Sequence, residues 1–209
     1  LAVTLQTQKK NDEAILWFQK TIQYEPNNVN ANYRLGIVYL DQKKYLESEK
    51  FLKKAIEIKP DDANFKTQLG NVYVGLRIFP TAIKVFNEAL KINPNLPDAQ
   101  LGLGNAYYNN NRIIESIPYY KKASELVPTW ATAHLYLADA YHKTSQFNLA
   151  VNSYQTAVKL NSGLPDPYYG LGLSYCGLKK KTLAMQQYEK LKTLNPDLAA
   201  KLLVWIKKI

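Results

Sequence analysis

Tyr108, His142 and Cys176 could do chemistry and recur at one spacing, 34 residues apart, and Asp139 precedes His142 by about one helical turn. A Cys–His pair would make a nucleophile with its base. His142, Asp139 and Cys176 together would be the material of a metal site. Both need groups within bonding reach. Residues 34 apart sit on separate elements, and neighbouring helices run about 8–10 Å apart, so a Cys–His hydrogen bond is not expected. One Cys and two His leave little for a zinc site. No phosphate loop, Gly-rich dinucleotide turn or recognisably spaced pair of catalytic carboxylates occurs. The expectation is a protein that is not an enzyme and uses no cofactor or metal. Asn71 and Asn105 share the same spacing. Each amide offers a donor and an acceptor together, so it can pair with a peptide bond without reading the side chain beside it.

The spacing belongs to the whole chain. Leu1, Leu35, Leu69, Leu103, Leu137 and Leu171 lie 34 apart. Four residues on come Leu5, Tyr39, Tyr73, Tyr107, Tyr141 and Tyr175, and one residue on come Ala2, Gly36, Gly70, Gly104, Ala138 and Gly172. Further along, small residues (Ala14, Ser48, Ala82, Ser116, Ala150, Ala184) precede large ones (Phe18, Leu52, Phe86, Tyr120, Tyr154, Tyr188) by four. Pro26, Pro60, Pro94, Pro128 and Pro196 close the units, with Ser162 the exception.

Large residues at i and i+4 form one stripe of a first helix. The small residue beside the Leu lets a second helix approach closely. The second helix presents small, large and small residues on one face. Polar stretches such as 41–44 and 109–111 make the turns between helices, and Pro ends or follows each second helix. Neither helix of a unit can bury its face alone, so stacked copies must share a continuous core.

The order Leu-Gly-x-x-Tyr, Ala, aromatic, Ala, Pro at period 34 resembles the tetratricopeptide repeat. With the Leu as position 7, complete repeats span 29–62, 63–96, 97–130, 131–164 and 165–198. Residues 1–28 form a partial repeat, and 199–209 a capping helix. The resemblance implies an all-α, right-handed solenoid of antiparallel helix pairs, read as one domain. The family's Trp at position 4 is absent: Asn32, Lys66, Gln100, His134 and Tyr168 stand there.

In this family the first helices line a concave groove that holds peptide segments. Positions 2, 5, 9 and 12 share one helix face, opposite the buried positions 7, 8 and 11. Carried onto this chain, that face includes Tyr33, Ile37, Thr67, Asn71, Val74, Leu101, Asn105, Tyr108, Leu135, Asp139, His142 and Tyr169. Cys176 ends the row at position 12. Several family members grip an extended peptide backbone with groove asparagines, and the resemblance gives that role to Asn71 and Asn105. The family's clamp for an acidic chaperone terminus needs Lys and Asn at set positions. Here Thr67, Gly102, Thr132 and Tyr136, or Leu101, Tyr136, Asp166 and Gly170, occupy them, so that clamp is not expected.

The formal charge is +10, from 24 Lys and 3 Arg against 17 acidic residues. Such a balance raises nucleic acid as a partner, but such sites lean on Arg, and the groove positions contain no Lys. Most Lys residues fall on turns and second helices, for example Lys43, Lys44, Lys121, Lys122 and Lys179–Lys181. Nucleic acid is therefore not the expected partner. No run of 18 apolar residues occurs, so a membrane role would need an anchor upstream of Leu1. The sequence starts mid-helix by the repeat register and without Met, as an excised fragment would. A cytoplasmic place is expected ahead of a periplasmic or membrane-tethered one, and the Lys/Asn bias with plain repeats points to a bacterial source.

The expected function is a scaffold or adaptor that holds a partner segment in the groove. The alternatives are self-association and a recognition module of a larger enzyme. Two local expectations complete the reading. Pro118 inside a second helix should bend or delay it. Leu202, Leu203, Ile206 and Ile209 should face inward from a cap whose Lys201, Lys207 and Lys208 meet solvent.

Overall fold

The computed structural model describes residues 11–209; Leu1, Ala2 and Leu5 lie outside the described residues. Among those described there are twelve helices and no strand. They are α1 (Asn11–Tyr24), α2 (Val29–Asp41), α3 (Tyr45–Ile58), α4 (Ala63–Gly75), α5 (Phe79–Ile92), α6 (Pro97–Asn109), α7 (Ile113–Leu126), α8 (Ala131–Lys143), α9 (Phe147–Leu160), α10 (Pro165–Gly177), α11 (Lys181–Leu194) and α12 (Pro196–Ile206). From α2 to α11 every start and end recurs 34 residues later. The backbone clusters into two compact units that divide after Asn110. In the first, α1 to α6 each pack on their chain neighbours, and α2, α4 and α6 also touch in succession. In the second, α7 to α12 pack in the same way, with α8, α10 and α12 in succession.

The helix ends follow from local chemistry. Asn28, Asp62 and Asn195 accept hydrogen bonds from the first free amides of α2, α4 and α12. Pro97, Pro165 and Pro196 stand at the first helical position, where the missing N–H costs nothing. The turn inside each pair uses one residue in the left-handed region: Lys43, Arg77, Asn111, Ser145 and Lys179, with φ between 56° and 61°. The next amide donates back to the Tyr carbonyl at position 11, as in Lys44 to Tyr39, Ile78 to Tyr73, Gln146 to Tyr141 and Lys180 to Tyr175. This is a Schellman-type closure made by backbone alone, without the usual Gly.

The turn between pairs is held by a side chain. Asn32 Nδ2 donates to the Pro26 carbonyl (3.1 Å), Gln100 Nε2 to Pro94 (2.9 Å), and Tyr168 Oη to Ser162 (3.3 Å). His134 Nε2 lies 3.0 Å from the Pro128 carbonyl. All four reach the carbonyl six residues earlier from the position where the family has Trp. Lys66, the fifth of the series, instead pairs with Glu88 at 3.1 Å.

Pro118 does not delay its helix. α7 starts at Ile113, in register with Tyr45, Phe79 and Phe147, and runs unbroken to Leu126. The bond to the Ile114 carbonyl is lost, but Ile114 and Pro118 are both exposed, so water can serve that carbonyl.

Candidate functional site

In the first unit the predicted face is an apolar floor with amides set in it. The Tyr33 and Phe65 rings stack with centroids 4.5 Å apart, and burial raises the Tyr33 hydroxyl above its ordinary pKa. Ile37, Val74, Asn71, Asn105 and Tyr108 are half-buried. Asn71 Nδ2 donates to Gln68 Oε1 at 3.1 Å, a partner one turn earlier on its own helix, so the amide stays in the face. Thr67 and Leu101 are turned into packing: Thr67 is 1% exposed and gives its hydroxyl to the Ala63 carbonyl, and Leu101 is 9% exposed. Beneath the face, Phe86 of α5 is fully buried against Gly102 of α6, where a Cβ would overlap its ring.

In the second unit the same positions carry more polar chemistry. Tyr154 of α9 lies over Gly170 of α10, where again a Cβ would overlap the ring. Its hydroxyl passes on to donate to Asp139 Oδ1 at 2.6 Å. Burial pushes the Asp139 carboxyl up to about 6; the Tyr154 hydrogen bond and Lys143 oppose the shift, and the Asp166 charge adds to it. Leu135 and Tyr169 are half-buried against the core of this unit.

His142 Nδ1 lies 3.0 Å from Ser174 Oγ, and the Ser174 hydroxyl donates to the Gly170 carbonyl at 2.8 Å. With its proton committed, Ser174 accepts from an Nδ1–H. That is the reverse of the arrangement that would activate a serine for attack. Ser174 is fully buried besides. Burial lowers the His142 pKa and raises that of the Cys176 thiol, so both are held neutral. Among the described residues no three His, Cys, Asp or Glu side chains converge as a metal site would require. No helix of the described residues is long and apolar enough to cross a membrane.

A cavity of about 320 Å³ opens where α12 meets this face. His142 and Cys176 of the predicted row line it with Leu173, Phe147, Trp205 and Lys208. Of these, Phe147, Trp205 and Lys208 lie outside the groove positions 2, 5, 9 and 12. The cause is the register of α12. Leu202 takes the place over Gly172, and Leu202 and Ile206 are buried as expected, whereas Leu203 is only half-buried and Ile209 is exposed. That rotation leaves Trp205 half in solvent at 51% exposure, as one wall of the cavity. The cap therefore also builds part of the face, and it brings a Lys to a face that has none on its first helices. Trp205 stands 34 residues after Leu171, where the pattern has Leu, and that is the sequence signal for it.

Models described as TPR repeat or tetratricopeptide repeat match residues 5–70, 79–111, 97–129, 138–179 and 168–197. The chain is a tetratricopeptide repeat protein. Solved structures of similar fold agree. YrrB, a TPR protein with an unusual peptide-binding site, is 21% identical over 92% of this chain and 98% of its own, with a TM-score of 0.74. PilW, a widely conserved type IV pilus biogenesis factor, is 18% identical over 97% and 95%, with a TM-score of 0.87. The Pseudomonas aeruginosa protein pilF is 16% identical over 94% and 89%, with a TM-score of 0.82. At these identities the likeness is one of fold. No curated protein matches the sequence significantly. The tetratricopeptide repeat accounts for the periodic helix ends, while the four side-chain ties to the inter-repeat turns belong to this chain's own choice at position 4.

Proposed function

We propose that this tetratricopeptide repeat protein is a non-catalytic scaffold that holds an extended segment of a partner protein along its first helices. The observation that most supports the reading is the cavity on that face, lined by the row residues His142 and Cys176 with apolar walls. Ligand sites are concave and mostly apolar, with a few placed polar groups. Tyr33, Ile37 and Val74 supply apolar contact in the first unit, and Asn71 and Asn105 supply amides suited to a peptide backbone. Exposed turn lysines such as Lys43 and Lys44 form the solvated exterior. YrrB, of similar fold, is described as having a peptide-binding site.

The test is selection of peptides from a displayed random 12-mer library on the whole chain, followed by titration of the selected peptides. Replacing Asn71 and Asn105 together by Ala is expected to weaken binding about tenfold or more while the helical circular dichroism stays unchanged. Selected peptides that bind the double variant as tightly as the parent would remove the asparagines from the site. A library that yields no binder would overturn the scaffold reading.

A further inference from the structure

The chemistry of the α12 cavity is narrower than that of a general groove. Its volume of about 320 Å³ lies at the small end of ligand pockets, about 300–1,000 Å³. That is room for one bulky group and not for a large cofactor. Phe147, Leu173 and Trp205 give it carbon walls, and none of its lining residues is acidic. The His142 ring tilts against Phe147 with centroids 5.4 Å apart. With Nδ1 given to Ser174, Nε2 is the acceptor left on that neutral ring. At the other wall, Lys208 Nζ sits 4.8 Å from the centre of the Trp205 ring.

The surroundings are positive as well. Lys181 Nζ donates to the carbonyl of Ile209, another lining residue, at 3.3 Å. Lys179 and Lys180 follow the lining residue Gly177 after Leu178. From 179 to 209 the chain has eight Lys against Glu189 and Asp197, a net of +6 out of the +10 of the whole. Asp139, one turn from His142, is bound to Tyr154 and is not among the residues that line the cavity.

We propose that the α12 cavity is an anchor pocket for one large apolar side chain of the partner segment, aromatic or branched aliphatic, flanked in that segment by acidic residues that pair with Lys208 and the neighbouring lysines. The proposal rests on the scaffold reading and gives the partner its chemistry. Apolar burial supplies affinity, and the lysine rim supplies orientation and encounter rate.

Two measurements separate its failure from that of the scaffold reading. The first uses 3-phenylpropionate, an aromatic ring with one carboxylate, titrated into the whole chain and followed by amide and indole nuclear magnetic resonance. Saturable shifts confined to Trp205, Lys208, Gly177 and their neighbours are expected, and they should be lost in Trp205→Ala. The second uses the peptides selected from the random 12-mer library. They are expected to share an aromatic or branched aliphatic residue with Asp or Glu within two positions. Lys208→Glu, a change at an exposed residue, should weaken them about tenfold, most strongly at low salt. Peptides that bind Lys208→Glu and Trp205→Ala as they bind the parent, yet lose binding in the Asn71/Asn105 double variant, would overturn the anchor pocket and leave the scaffold reading standing. Shifts from 3-phenylpropionate that are absent or scattered over both units would overturn it independently of any peptide.

Discussion

In the first unit Phe86 lies over Gly102, and the ninth position of its repeat is Asn71. In the second unit Tyr154 lies over Gly170, and the ninth position of its repeat is Asp139. The ring packing is shared. The second unit adds one phenolic oxygen and one carboxylate, and those atoms find each other at 2.6 Å. The result is a buried acid that titrates near pH 6 where the first unit has an amide that does not titrate. The difference also redistributes work on the surface. Both side chains are half-buried, but Asn71 pairs with Gln68 on its own helix, whereas Asp139 is held by a tyrosine of the next helix.

The largest expected effect comes from making the second unit resemble the first. Native Asp139 keeps its proton up to about pH 6, while an unfolded Asp releases it near 3.8. Its contribution to stability is therefore complete below about 3.8 and is lost as pH rises through 6. A shift of this size corresponds to about 3 kcal/mol. Asp139→Asn should raise urea-unfolding stability at pH 7.5 by about that order and flatten its fall between pH 4 and 7. An unchanged pH profile would contradict the assignment.

Overpacking tests the shared part. Gly102→Ala and Gly170→Ala each force a methyl into a buried ring, and both should cost about 1–3 kcal/mol. Equal losses would show that the wedge, and not the added polar pair, sets local stability. Tyr154→Phe tests the added part. It keeps the ring but takes a donor from a buried carboxylate, so a loss of about 1–2 kcal/mol is expected at pH 7.5, with less at pH 4. The smallest effect concerns the turns, which the two units have in common. Ser145→Gly relieves a left-handed residue and should stabilise by about 0.5–1 kcal/mol in thermal or urea melts.

Much of the fold was legible because a tetratricopeptide repeat writes its packing at fixed intervals. The Leu, small-residue and aromatic positions are steric demands, and the helix ends followed them at the same 34-residue step. Three features were not legible, each for a physical reason. The left-handed turn residues are Lys, Arg, Asn, Ser and Lys, so the Gly that usually marks such a conformation is missing. The residues at position 4 looked like lapses from the family's Trp. Asn32, Gln100, His134 and Tyr168 differ in shape yet share a polar atom at the reach of one carbonyl, an equivalence visible only in three dimensions. The cavity depends on how α12 rotates over Gly172, which the repeat spacing does not convey. For the candidate face, helical spacing put the chosen positions on one side of each helix. It could not say that Thr67 would spend its hydroxyl on its own backbone, or that Asp139 would be claimed by a tyrosine from the next helix.

The backbone-closed turns carry a consequence for the exterior. Since the Lys44, Ile78, Gln146 and Lys180 amides close those turns on main-chain oxygens, no particular side chain is needed there. The outer coat can change colour, from lysine-rich to acidic or neutral, while the helix ends keep their places. What the molecule repels or tolerates in a crowded solution can thus be altered without moving its helix ends.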